Sequence, residues 1–220
     1  MARASPYPTA RPWLPPEGGL LALAEAARGC QGCPLWERGT QTVFGSGPAH
    51  APIVLVGEQP GDEEDRAGLP FVGPAGRLLD RALERAGIPR ASAYVTNAVK
   101  HFKWVARGKR RIHQKPDPGE ILACRPWLEA ELEALRPSVI VALGATAAAA
   151  LFGAAVRVTR DRGRPLASPL APLALVTVHP SAVLRAPDDA ARRAGFEALA
   201  ADLRVAREGL RQAEPGAQPW

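Results

Sequence analysis

The chain is 220 residues long, enough for one well-buried domain and too short for two large ones. Lys and Arg outnumber Asp and Glu by 28 to 22, giving a formal charge of +6 and a sequence pI of about 9.8, which favours a polyanionic partner. The N-terminal stretch MARASPYPTARPWLPPEGG has prolines where an apolar signal core would stand, so the expected compartment is the reducing cytoplasm. Three cysteines cannot all pair with one another, and Cys30 and Cys33 form a CxxC, so metal or redox chemistry is expected before a disulfide framework.

Residues 1–17 and 212–220 are rich in Pro, Gly and Ala without periodicity and read as loose tails around a single domain, 18–211. LLALAEAARGC (20–30) has helical apolar spacing and runs into the CxxC. PIVLVGE (52–58) reads as a strand, GRLLDRALERAG (76–87) as a helix and AYVTNAV (93–99) as a second strand. A cation-rich loop, 103–116, precedes the helical GEILACRPWLEAELEALRP (119–137). The charge-free run 137–156 is long enough to imitate a membrane span. Its β-branched SVIVALG (138–144) and alanine-rich ATAAAALFG (145–153) fit a buried strand feeding a buried helix better, and no membrane segment is expected. LALVTVHP (173–180) is the fourth strand, and DDAARRAGFEALAADLRVAREGLRQ (188–212) is the closing helix. Strands apolar on both faces, with helical patterns between them, predict an α/β fold: a three-layer α/β/α sandwich around a four-stranded parallel sheet. No heptad or extended apolar surface argues against a monomer.

In such a sheet the ligand site lies at the carboxyl ends of the strands. Three of the four ends carry unusual chemistry: GEQPG at 57–61, TNAVKH at 96–101 and HPS at 179–181. The fourth, LGATA at 143–147, reads as a plain strand-to-helix turn. Asn97 offers both a donor and an acceptor at its strand end, an odd choice within a strand unless it caps the turn. Gly57 and Gly61 permit close backbone geometry near a ligand. Glu58, Gln59, Asp62 and Asp65 can orient a histidine or a water, although Asp62 and Asp65 also fit solvated loop acids.

In chain order, GEQPGDEEDRAGLPFVGPAGRLLD, VTNAVKH, LGATA and VHPS resemble the uracil-DNA glycosylase superfamily, specifically its iron-sulfur family 4 branch, from about Cys30 to Arg185. GEQPGD, the histidine ending VTNAVKH and the inserted KRRIH are similar to the subgroup called UdgX. Its members excise uracil and then stay covalently joined to the DNA through the histidine of KRRIH. The resemblance implies uracil-containing DNA, single- or double-stranded, as the partner. It also implies a [4Fe-4S] cluster held by Cys30, Cys33, His101 and Cys124, with His101 where family 4 has a cysteine. On residue types alone, a Cys3His zinc site stands level with an iron-sulfur site. An unligated His101 beside three cysteines, or three free buried thiols, fits them as well.

By the same resemblance Phe71 stacks on the base, and His179 faces uracil O2, where charge grows as the bond to the sugar breaks. Ser181, Leu184 and Arg185 follow in a loop suited to contacting phosphate or filling the gap a flipped base leaves. Gln59 stands where family 4 enzymes usually have alanine, and either Glu58 or Gln59 is expected to hydrogen-bond His113. Between Lys103 and Lys115 there are six cations and no acid. Lys109, Arg110 and Arg111 suit the DNA backbone, with Trp104 able to stack on a base. The resemblance makes His113 a nucleophile that captures the anomeric carbon. Two rivals stay open: an ordinary family 4 enzyme that turns over, and a non-catalytic metal-containing DNA-binding protein.

Overall fold

A computed structural model describes residues 5–213. The chain runs through α1 (Gly19–Ala27), β1 (Ile53–Gly57), α2 (Asp62–Ala67), α3 (Pro74–Ala86), β2 (Ala93–Asn97), β3 (Trp104–Arg107), β4 (Arg110–His113) and α4 (Pro118–Leu135). It continues through β5 (Val139–Leu143), α5 (Ala145–Phe152), α6 (Val158–Asp161), β6 (Leu173–Thr177), α7 (Pro180–Leu184) and α8 (Asp189–Ala213). The main sheet is parallel in the order β2-β1-β5-β6, as the run of doubly apolar strands predicts. Its strands alternate between two cores. Ile53, Leu55, Val95 and Val141 face α3 and α8, while Val54, Val56, Tyr94 and Ile140 face α4 and α5. The charge-free run 137–156 is the buried β5 and α5, and among the described residues no helix is long and apolar enough to cross a membrane.

Register matters for the site, because Gly57 pairs with Asn97 and so brings the first two strand ends level. The acids that follow GEQPG are not loop residues but lie in α2. Asp62, Glu63, Glu64 and Asp65 crowd its first turn, where the helix dipole favours acids, and Gly68 (φ 71°) ends it.

Two expectations about loops change. Residues 5–17 are not loose: Ala10 donates its N–H to the Ala123 carbonyl (2.8 Å) and is buried, and Tyr7, Trp13 and Leu14 pack on the cysteine-bearing core. The short α1 leaves that core open, and these side chains cover it. Residues 1–4 and 214–220 lie outside the described residues, while 212 and 213 continue α8. The cation-rich loop is an antiparallel hairpin, with Trp104 opposite His113 and Val105 opposite Ile112, turning at Gly108 (φ 60°).

Candidate active site

A cleft of about 720 Å³ opens at the carboxyl ends of the sheet. All four strand ends line it: Glu58 and Gln59 after β1, Asn97 on β2, Leu143 to Thr146 from the end of β5 into α5, and Val178 and His179 after β6. Phe71, His113, Lys115, Ser181 and Arg185 complete the wall that matters for chemistry.

Phe71 is held there at a cost. Its φ of 58° is left-handed, about 1–2 kcal/mol above ordinary backbone for a residue with a side chain. Two glycines make room for it. A Cβ on Gly76 would collide with the Phe71 carbonyl, and one on Gly57 would stand 2.7 Å from the Phe71 ring and strike the Asn97 side chain. Glu64 pins the loop at both ends, accepting from Gly61 N–H (3.1 Å) and Gly73 N–H (2.8 Å). Asn97 is 2% exposed, and among the described residues its carboxamide makes no hydrogen bond, so donor and acceptor both remain for a ligand.

The ring of His179 lies 6.3 Å from that of Phe71. Its Nδ1 accepts the Ser181 backbone N–H (3.1 Å) and stands 2.7 Å from Ser181 Oγ, so the ring proton belongs on Nε2. Burial pushes its pKa down to about 4. His179 is thus a neutral, fixed donor, and Ser181 serves it by setting the tautomer. Arg185 is exposed on the cleft rim, whereas Leu184 packs against the main core and is not a free wedge.

His113 reaches the cleft from β4. Its Nε2 lies 3.2 Å from Glu58 Oε1, and Glu58 Oε2 accepts the Thr146 hydroxyl. Burial works to raise the Glu58 pKa, but the hydrogen bonds from His113 and Thr146, with their charge neighbours, outweigh it and hold the carboxyl below its usual range. Gln59 makes no hydrogen bond to His113 among the described residues. Its Nε2 donates to the carbonyls of Lys103 (3.2 Å) and Gln114 (3.0 Å), and its Oε1 accepts Lys103 N–H (3.1 Å), clamping the two feet of the hairpin.

Asp62 and Arg111 also differ from expectation. Arg111 is drawn down from β4 onto α2, pairing with Asp62 and with Asp65 (2.6 Å) while donating to Thr40 Oγ1 (3.0 Å). Asp65 is fully buried, so it is no solvated loop acid. Arg111 is therefore a structural bracket rather than a phosphate contact, and Asp62 is its partner outside the cleft lining. Trp104 is likewise fastened, donating its N–H to the Arg38 carbonyl (2.9 Å). Arg107, Lys109 and Arg110 remain exposed at the hairpin tip.

Just beyond the carboxyl end of β2, Cys30, Cys33, Cys124 and His101 line a second, small cavity with Lys100 and Trp127. Burial pushes the Cys33 thiol to about 11 and Cys124 to about 12, so ionised sulfur there requires a cation. Burial also lowers His101 to about 4, leaving it neutral. Thr42 spends its hydroxyl proton on the Ala27 carbonyl (2.8 Å), so its oxygen accepts from His101 Nε2 (3.0 Å), and Nδ1 keeps a lone pair for another partner. The Trp127 indole N–H is fully buried without a hydrogen-bond acceptor among the described residues. Lys100 N–H donates to Cys124 Sγ (3.3 Å). Among the described residues no three His, Cys, Asp or Glu side chains converge as a single-ion site.

Sequence reasoning missed Thr146, Thr42 and the pairing of Lys100 with Glu131. Thr146 lies in the strand end that reads as a plain turn, and Thr42 carries no motif. Lys100 and Glu131 are both almost wholly buried and ion-paired between β2 and α4, with Lys100 Nζ also donating to the Asn97 carbonyl (2.9 Å).

A family profile described as "Uracil DNA glycosylase superfamily" matches residues 44–204. The type-4 uracil-DNA glycosylase of Thermotoga maritima is 39% identical over 176 residues, covering 80% of this chain and 88% of its own. That of Pyrobaculum aerophilum is 35% identical over 175 residues, covering 76% and 86%, and that of Saccharolobus solfataricus is 39% identical over 134 residues, covering 60% and 59%. With the parallel sheet and a cleft at its strand ends, these matches mean that the chain belongs to the uracil-DNA glycosylase superfamily.

Proposed function

We propose that this protein is a uracil-DNA glycosylase of single turnover, which excises uracil and then captures the sugar through His113. The observation that carries the reading is the Glu58–His113 contact over the same cleft that holds Phe71, Asn97 and His179. A uracil turned out of the helix stacks on Phe71 and is read along its O4 and N3–H edge by the unspent carboxamide of Asn97. The glycosidic bond breaks with its electron pair going to uracil N1. The Nε2–H of His179 meets the charge growing on O2, an interaction that strengthens only as the bond opens. A lone pair of the His113 ring then forms the bond to the anomeric carbon, and the ring proton passes to Glu58. The product is a neutral N-alkylimidazole, a poor leaving group, and the adduct persists. Lys109 and Arg110 at the exposed hairpin tip take phosphates.

For the cysteine cavity the reading is a [4Fe-4S] cluster held by Cys30, Cys33, Cys124 and His101. The buried thiols, the spare His101 nitrogen and the orphaned Trp127 donor all fit a resident group rich in sulfur acceptors. A single zinc would need three thiolates at about 2.3 Å from one point, so metal and sulfide content separate it from the cluster. Bound there, the cluster ties the N-terminal segment, the end of β2 and α4 together. A brown protein with stoichiometric iron and sulfide is expected; a colourless one with stoichiometric zinc overturns the assignment.

The type-4 relatives favour a second reading, ordinary turnover with His113 as a phosphate contact. One gel separates them. Uracil-containing single-stranded DNA is incubated with the protein, denatured in SDS, and a parallel sample is heated in alkali. A denaturation-resistant shifted band that His113→Ala abolishes, while alkali-labile sites persist, supports trapping. Strand breaks without a band establish turnover, and a band that survives His113→Ala refutes the role of His113.

A further inference from the structure

We infer that Thr146 is a positioning residue for covalent capture: its hydroxyl fixes the Glu58 carboxylate so that the other oxygen of that carboxylate holds His113. The inference rests on the reading of His113 as nucleophile and adds to it the strand end, LGATA, that sequence alone left without a function.

The geometry is a three-part relay across three elements. Thr146, in the first turn of α5 and buried, donates its only hydroxyl proton to Glu58 Oε2. Glu58, just past β1, receives His113 Nε2 at Oε1, 3.2 Å away. His113, at the end of β4, is half exposed, so little packing besides the Phe102 ring 6.2 Å away fixes its ring plane. A carboxylate bound at one oxygen can swing about its terminal torsion; one bound at both oxygens cannot. The orientation of His113 thus depends on a hydroxyl it never touches.

The backbone under Thr146 is itself constrained. Gly144 has φ 91°, and a Cβ there would come within 2.9 Å of the His179 Cβ, so the β5–α5 turn is packed tightly under the base pocket. Its N–H is fixed to the Thr177 carbonyl (2.9 Å) on β6. Thr146 is delivered to the cleft floor by sheet register, and this makes it a fixed reference for a mobile carboxylate.

Removing the hydroxyl has two consequences. Glu58 loses orientation, so fewer His113 conformers face the anomeric carbon. It also loses a donor that favours its ionised form, so its protonation moves to higher pH. The other charged groups around Glu58 stay in place: His113 from β4, His179 ahead of α7, and Glu64, Lys115 and Arg185 on the cleft wall.

The test compares the intact protein with Thr146→Val, of nearly the same shape, and Thr146→Ser, which keeps the hydroxyl. Adduct and free abasic product are quantified in single-turnover reactions on uracil-containing DNA across pH. The expected result for Thr146→Val is a fall of at least roughly tenfold in adduct relative to free abasic product. Its acid limb for adduct formation should also lie at higher pH, with both properties returning toward the parent in Thr146→Ser. A Thr146→Val protein with the parent ratio and acid limb overturns the inference while leaving capture by His113 standing. So does a Thr146→Ser protein that resembles Thr146→Val. A parent protein that forms no adduct overturns the capture reading, and this inference with it.

Discussion

The buried Lys100–Glu131 pair beside the cysteine cavity allows a quantitative forecast. Lys100 and Glu131 are 1% and 0% exposed, and Glu131 also accepts from Tyr94 (2.9 Å), Thr96 (3.0 Å) and Gly45 N–H (3.1 Å). Changing Glu131 to Gln preserves the shape and deletes the charge, leaving an ammonium in a dry interior with neutral partners alone: an amide oxygen, the Thr96 hydroxyl, the Asn97 carbonyl and the Phe44 ring 5.3 Å away. Breaking one side of a buried pair costs about 3–5 kcal/mol, a large part of the roughly 5–15 kcal/mol that holds a domain together. At about 2–4 °C per kcal/mol for a chain of this size, Glu131→Gln should melt about 6–20 °C lower. Thermal and urea unfolding of the intact protein measure it. The double variant Lys100→Met, Glu131→Leu should recover part of the loss, because no charge is then stranded. A Glu131→Gln protein that loses under about 1 kcal/mol, or a double variant as costly as the sum of Lys100→Met and Glu131→Leu made separately, refutes the argument.

Asn97→Asp replaces the carboxamide donor with a second acceptor, and single-turnover excision of uracil should fall by at least about 10²-fold. His179→Ala should lower the same rate roughly 10²–10³-fold. In the folded protein His179 titrates near 4, below its unfolded value, so its contribution to stability is complete above about pH 6.5 and declines as pH falls toward 4; an imidazole resonance titrating near 6.5 for this residue would contradict the burial argument. Changing Lys109 and Arg110 together to Ala should flatten the salt dependence of DNA binding, reducing the log–log slope by about 1 for each phosphate left without its cation, with uracil recognition unaltered.

The sheet is legible because its strands are apolar on both faces, a pattern that only a fully covered parallel sheet requires, and all four observed strands lie within the segments read from the pattern. The strand-end rule also places Asn97 and His179 at the cleft from sequence alone. It fails at LGATA only because alanine and threonine carry no chemical signal of their own; the rule applied evenly to all four ends would include Thr146. Buried pairing is not legible. Asp65 and Arg111 read as a solvated acid and a phosphate-binding cation, since nothing local distinguishes a charge that meets solvent from one that meets its opposite 46 residues away. The ordered N-terminal segment is hidden for a similar reason: its composition is that of a tail, and its partner core is assembled from α1 and α4.

KRRIH shows how much one change of periodicity alters a reading. As a loop its charges are equivalent and its histidine incidental. As strand β4 its side chains alternate, so Arg111 and His113 share one face, and Arg110 and Ile112 the other. The inner face carries the bracket to Asp62 and Asp65 and, two residues on, the imidazole over Glu58; the outer face carries an exposed cation. Gln59 closes the hairpin at its feet, and Trp104, opposite His113, is tied to Arg38. A histidine needed only to touch phosphate gains nothing from three separate attachments. A nucleophile that must meet a short-lived cationic sugar before water does gains from each, because capture competes on orientation. The attachments of the hairpin thus fit the proposed capture at His113, while its exposed cations fit binding.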